Sequence, residues 1–373
     1  MSISALPVDP QPEAFCELPA AVERALRADV DRVGVVLLDA FGWTFAQRHA
    51  DHPFLRRLAA EGSVRPMASQ FPSTTTAHVT TMHSGLPVGA HGLYEWNVYE
   101  PALDEIIVPI IFARGGELTP DTLRGSGVEM RDLLPPGTLY ERLGVPCTVI
   151  SPAAFSPSTY DSVATAGAKL EPYDSLEDGV ALLERALSRP GYAYLYWHVI
   201  DAVGHEHGPD SPEFDAACVA ALDALDELRG SGLLLVTADH GQVAVHPSRV
   251  DYLEDFLPEV GDYLARGLKP AGSARDLFLH AAPGLAAELA GKLRERLDGR
   301  ADVHPVEELE GRGYFGEVGP RLRARLADVC VLPHEGREAW LRSAAGVEQR
   351  FLGHHGGLAP DEAVTWLGAI MLA

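Results

Sequence analysis

RVGVVLLD, residues 32–39, is an unbroken apolar run that ends on an acid and is followed by Ala40-Phe41-Gly42. A run this short, apolar on every side, reads as a strand buried on both faces of a parallel sheet, with Asp39 at its carboxyl end. Two further stretches have the same form: YAYLYWHVID at 192–201 and GLLLVTAD at 232–239. Amphipathic helical patterns at 174–188 and 212–229 separate them. Strands alternating with helices indicate βαβ units, and hence an α/β fold with a doubly wound, mostly parallel sheet flanked by helices. Ligands in such folds bind beyond the carboxyl ends of the strands. Three strands ending in Asp therefore put Asp39, Asp201 and Asp239 where chemistry is expected.

The texture changes between residues 250 and 319. RDLFLHAAP and ADVHP read as short strands and GLAAELAGKLRERL as a helix, so this region is expected to be a small α/β insertion or cap. The catalytic core is then expected over 1–249 and 320–373, with DVCVLP at 328–333 carrying the chain back into it.

Bulk composition removes several classes of function. The formal net charge of −23 repels a nucleic-acid duplex, and it leaves an anionic substrate to be neutralised locally, as bound metal can do. No apolar run reaches 18 residues, so no membrane span is expected. The first 15 residues lack the basic and apolar regions of a secretory leader. Cys16, Cys147, Cys218 and Cys330 are far apart and form no CxxC pair; they read as small buried hydrophobes of a reducing compartment. A cytoplasmic location is the resulting expectation.

Four local patterns carry chemistry, and each has an ordinary reading beside the functional one. Asp201-x-x-x-His205 sets a carboxylate and an imidazole one helical turn apart, a common ligand pair for zinc-like ions; alone, it is more often an exposed loop pair, and His207 is a neighbour. Asp239-His240-Gly241 ends a strand, where Gly241 allows a turn that brings both side chains to one ion; it could equally be a helix cap beside an exposed His. Gly353-His354-His355-Gly356-Gly357 permits close backbone approach, with His355 favoured over His354, yet Gly-rich turns are common. FPSTTTAH, residues 71–78, places hydroxyls at a helix start, which suits a phosphate and is also where any helix is capped.

Taken together and in this order, these residues resemble the alkaline phosphatase superfamily, and within it the nucleotide pyrophosphatase/phosphodiesterase branch. The match runs from about residue 33 to 357, through the FP-x-x-T spacing from Phe71 to Thr75 and the stretch HSGLPVGAHG at 83–92, with the insertion unmatched. The resemblance implies that Asp201, His205 and His355 hold one ion and Asp39, Asp239 and His240 the other. It implies that Thr75 binds the second ion and attacks phosphorus, and that Asn97, set one residue late, contacts a phosphoryl oxygen. Thr74 and Thr76 flank the nucleophile, and a shift by one place is the alternative. Ala40 stands where the family usually has Gly.

This ligand set implies two divalent cations, with Zn²⁺ the best fit to mixed N/O donors and Mn²⁺ next. The expected activity is hydrolysis of phosphodiester or pyrophosphate bonds in a small, nucleotide-like phosphate ester, through a phospho-threonine. No basic residue lies within 70–83 to meet the second charge of a monoester. The alternatives are a phosphomonoesterase or phosphonate hydrolase on the same scaffold, a metal-dependent phosphosugar mutase, and a non-catalytic metal- and phosphate-binding protein. Nothing in the sequence fixes an oligomeric state.

Overall fold

The computed structural model describes residues 14–28, 30–342 and 349–373; the N-terminal residues read for a leader lie mostly outside it. Its main sheet has seven strands in the order Ser63–Ala68, Val364–Leu372, Gly232–Thr237, Arg32–Leu38, Gly191–Trp197, Cys147–Pro152, Lys169–Tyr173. Arg32–Leu38 lies at the centre, parallel to Gly191–Trp197 and to Gly232–Thr237. Only Val364–Leu372 runs against its neighbours.

The apolar runs are apolar throughout because both faces of the sheet are covered. Val36, Leu38, Ala193 and Leu195 pack into one core with Phe45, Leu183, Phe214 and Leu222. The alternate residues Val33, Val35, Leu37, Tyr192 and Tyr194 pack into a second core with Leu18, Val22 and Met82. With a side-chain period of two, a polar residue anywhere in these strands would be buried on one face or the other.

The expected helices form at Leu176–Leu187 and Pro212–Asp226. One expected strand is shorter than its apolar run: Gly191–Trp197 ends four residues before Asp201, and a helix Val199–His207 follows. Asp201 and His205 thus stand one turn apart on a helix, not on a strand end.

A second sheet, in the order Ala271–Gly272, Leu277–Leu279, Val329–Pro333, Ala301–Pro305, forms beside the first and carries the helix Ala286–Arg296. The strand expected to return the chain to the core, Val329–Pro333, instead pairs with Leu277–Leu279 and Ala301–Pro305. An apolar strand cannot declare its sheet; the chain rejoins the main sheet only at Val364–Leu372. Phe71, Phe278, Tyr314 and Phe315 close the seam between this second unit and the segment before Thr75. Cys147, Cys218 and Cys330 are buried and Cys16 is partly buried, all as free thiols.

Candidate functional site

Asp39 follows the central strand directly, and its N–H is bound to Trp197 O at 2.8 Å. Asp239 lies two residues past the adjacent parallel strand. Both are almost fully buried. Ala40 is left-handed, at φ 63°, which is the physical reason a glycine suits this position and a strain of about 1 kcal/mol in its absence. Gly241 acts otherwise than expected: a Cβ there would lie 2.1 Å from Asp361 O, so close packing and not a special turn demands the glycine.

Thr75 is the first residue of the helix Thr75–Ser84. Its N-cap, Thr74, spends its hydroxyl on Tyr94 O at 2.9 Å and does not cap the helix. Thr75 Oγ1 lies 3.4 Å from each oxygen of Asp39 and 3.3 Å from His240 Nε2. Among the three adjacent threonines, Thr76 is buried and Thr74 is tied to Tyr94, so Thr75 is the one facing the acids. His78 is neutral and buried; it donates from Nδ1 to Thr74 O at 2.7 Å and so holds the turn that presents Thr75.

The acids and imidazoles converge. Ligand atoms of Asp39, Asp239 and His240 lie within 4.8 Å of one another, and so do those of Asp201, His240 and His355. His205 Nε2 is 3.3 Å from Asp201 Oδ2, and His355 Nε2 is 3.6 Å from Asp201 Oδ1. The rings of His240 and His355 stack at 3.7 Å, so the two groups are contiguous. The ring nitrogens are oriented alike. Nδ1 of His205 faces Gly353 O, that of His240 faces Gly241 O, and that of His355 faces Ser73 O, at 2.8 to 2.9 Å. A carbonyl only accepts, so each Nδ1 carries the proton and each Nε2 presents a lone pair to the cluster. His354 differs: its Nδ1 lies against its neighbour's backbone, 2.8 Å from His355 N and 2.9 Å from His355 O, and its other nitrogen faces Glu338.

Two buried carboxylates and the partly buried Asp201, with no guanidinium or ammonium beside them among the described residues, are an electrostatic deficit. Burial first, then the charge of Asp239, holds the Asp39 carboxyl well above the usual range. Burial also pushes Asp239 up to about 7, and its Oδ2 is buried without a hydrogen bond. Burial, then His355, keeps His240 neutral. Bare imidazole nitrogens, crowded carboxylates and an orphaned oxygen form a donor set that fits divalent cations.

A cavity of about 1270 Å³ opens over this cluster. Trp96, Phe155 and Phe351 line it and remain 38%, 47% and 42% exposed. Arg350 is the one Lys or Arg among its described lining residues. Asn97 also lines it, although its Nδ2 donates to Gly272 O at 3.0 Å and so is partly committed to the fold. His207 is exposed and lies outside the cluster. Sequence reasoning missed Tyr196, whose hydroxyl donates to Asp39 Oδ2, and Gln242, which donates to Asp201. The signal for Tyr196 was the alternation Tyr192, Tyr194, Tyr196 on one sheet face; Gln242 left none.

A family model described as type I phosphodiesterase / nucleotide pyrophosphatase matches residues 33–358. Among curated proteins, ectonucleotide pyrophosphatase/phosphodiesterase family member 3 of Rattus norvegicus is 30% identical over 102 residues, covering 24% of this chain. Its Mus musculus counterpart is 29% identical over 102 residues. The matched part spans only 11% of the length of either relative. Murine ectonucleotide pyrophosphatase/phosphodiesterase 5, solved as an inactive variant in complex with AMP, shares the fold at TM-score 0.67 and 19% identity, over 91% of this chain and 87% of that one. Phosphonoacetate hydrolase from Sinorhizobium meliloti 1021, in complex with phosphonoformate, does so at TM-score 0.63 and 18% identity, over 92% and 91%.

Proposed function

This chain belongs to the type I phosphodiesterase/nucleotide pyrophosphatase family, and from that premise we propose that it hydrolyses phosphodiester or pyrophosphate bonds of small nucleotide-like substrates with Thr75 as the nucleophile. The observation that carries this reading is the position of Thr75 Oγ1, within 3.4 Å of Asp39 and His240 at the floor of the cavity.

Asp201, His205 and His355 would hold one divalent ion, and Asp39, Asp239, His240 and Thr75 the other. Bound there, the pair would neutralise charge on the phosphoryl group and acidify the attacking hydroxyl, with Zn²⁺ or Mn²⁺ suited to the mixed donors. The chain's own groups do the rest. The helix starting at Thr75 turns its first N–H groups and positive dipole end toward a phosphate at Oγ1. His240 Nε2 at 3.3 Å and the Asp39 carboxylate at 3.4 Å are the acceptors within reach of the hydroxyl proton. Attack forms the Oγ–P bond of Thr75 and breaks the bond to the leaving oxygen. Water then cleaves the phospho-threonine and restores the hydroxyl. Asn97, at the cavity wall, would steady a phosphoryl oxygen with its second amide hydrogen.

The cavity lining supports the diester half of this reading: a small dianionic monoester or phosphonate calls for several cations, and Arg350 is the one Lys or Arg among the described lining residues. Space and the aromatic walls at Trp96, Phe155 and Phe351 suit a monoanionic phosphoryl group with a bulky, flat substituent. The AMP in complex with the murine protein carries a flat base of this kind, on a monoester phosphate.

The expected core, 1–249 and 320–373, would supply the ions' ligands and the segment 250–319 a wall of the cavity through Ser273 and Ala274, although Val329–Pro333 of that core pairs within the second sheet. The test compares chromogenic mono- and diesters with metal content measured in parallel. Thr75→Ala is expected to keep its ions and lose turnover, Thr75→Ser to keep part of it, and Thr74→Ala and Thr76→Ala to matter much less. A fully active Thr75→Ala protein would sink the proposal, and a preference for monoesters would sink its substrate half.

A further inference from the structure

We propose that Gln242 is a positioning residue that sets the Asp201 carboxylate for its ion and ties the ligands of the two ions into one unit; this rests on the two-ion reading above. Gln242 follows the Asp239-His240 pair by two residues and is 1% exposed. Its Nε2 donates to Asp201 Oδ1 at 2.6 Å and to Asp201 O at 3.1 Å. The orientation of the amide is forced, since its oxygen could not face a carboxylate and a carbonyl at those distances.

The other end of the amide shows what the side chain is for. Gln242 Oε1 is buried without a hydrogen bond. It is wedged between two glycines of the ligand segments: a Cβ on Gly204 would lie 2.0 Å from it, and a Cβ on Gly353 2.6 Å. Gly204 precedes His205 and Gly353 precedes His354-His355. At Gly204 the amide itself excludes a side chain, at Gly353 it does so together with Gly204 O, and the amide leaves its own acceptor unpaired to reach Asp201. A residue kept for packing alone would leave no orphaned acceptor there.

Holding one oxygen of Asp201 fixes the rotation of the carboxylate. Oδ2 is left to face His205, and Oδ1 faces His355 with its remaining lone pair. Because Gln242 sits on the segment that carries Asp239 and His240, any shift of that segment moves Asp201 with it. Tyr196 does the same for Asp39 from the other side, through Oδ2.

The test is a Zn²⁺ titration of the full chain stripped with chelator, against a competing chromophoric chelator, in wild type, Gln242→Met, Gln242→Leu and Tyr196→Phe. Wild type is expected to bind two ions in separable steps. In the Gln242 variants one step should weaken by about 10–100-fold, the usual effect of losing a hydrogen bond to a ligand, while the other stays nearly unchanged. Tyr196→Phe should weaken the opposite step. The melting temperature of each stripped variant should stay within about 3 °C of wild type, and either Gln242 variant that meets this suffices. Two ions bound with unchanged constants in a folded Gln242 variant would overturn this inference and leave the two-ion reading standing. Loss of the fold in both would mark Gln242 as structural and overturn it as well. Fewer than two ions in wild type would remove the two-ion reading and this inference together.

Discussion

Two sets of buried carboxylates in this molecule contrast, and only one is electrically complete. Glu362 is fully buried against Arg275, with Nη2 to Oε1 at 2.7 Å and Nε to Oε2 at 3.2 Å, and it also accepts from Ala359 N. The same guanidinium donates to His334 O and Arg337 O. Arg325 and Glu100 repeat the arrangement at 2.9 Å, with Gly92 O and Leu133 O taking the spare donors. These pairs close on themselves. Asp39 and Asp239 are buried as deeply, with Asp201 partly buried beside them, yet they meet imidazoles whose protons point away from them. A pair that closes on itself holds the fold together. A cluster left short of positive charge strains the fold and is kept for what it can bind.

The comparison breaks most sharply at Asp239. Asp239→Asn is expected to lower turnover on the order of 10³-fold or more, and at the same time to raise the melting temperature of the chelator-stripped protein, because it removes one of three crowded charges. Kinetics on a diester and a melt of the stripped protein check both halves; a fall in melting temperature would mean that the cluster is complete without ions. Arg275→Met should do the reverse. It leaves Glu362 buried and unpaired, so a loss of about 3–5 kcal/mol is expected in urea unfolding, with turnover at saturating metal far less affected than in Asp239→Asn.

Acid should help the stripped protein. Burial pushes Glu95, beside the cavity, up to about 7, whereas an unfolded glutamate titrates near about 4.3. Between those values the folded state holds a proton that the unfolded state lacks. Stability is therefore lost as pH rises through this window, and the penalty is complete above about 7. Relative to Glu95→Gln, wild type should lose melting temperature as pH rises from 5.5 to 8; identical pH slopes in the two proteins would show that Glu95 keeps its charge when folded. The smallest effect is expected at Ala40. Ala40→Gly relieves a left-handed Cβ at some cost in chain entropy, for a net gain of about 0.5 kcal/mol, readable as a small upward shift in melting temperature.

The sequence by itself determined the kind of fold and most of the cluster. Apolar runs closed by Asp39 and Asp239 could hardly be anything but central parallel strands, because a strand covered on both faces must be apolar at every position. The four-residue spacing of Asp201 and His205 was legible because a helix repeats at that interval, although the apolar run hid where strand gave way to helix. Only the tertiary structure decided the rest. Val329–Pro333 could have paired in either sheet, and backbone hydrogen bonds carry no sequence label. His355 separates from His354 only through the carbonyl of Ser73, 282 residues away in the chain. Tyr196 and Gln242 reach their carboxylates across 157 and 41 residues of chain, and a single polar side chain in a sequence does not say which acid it will meet. Local physics writes itself into spacing and pattern; a contact between distant segments exists only once the whole chain has closed around it.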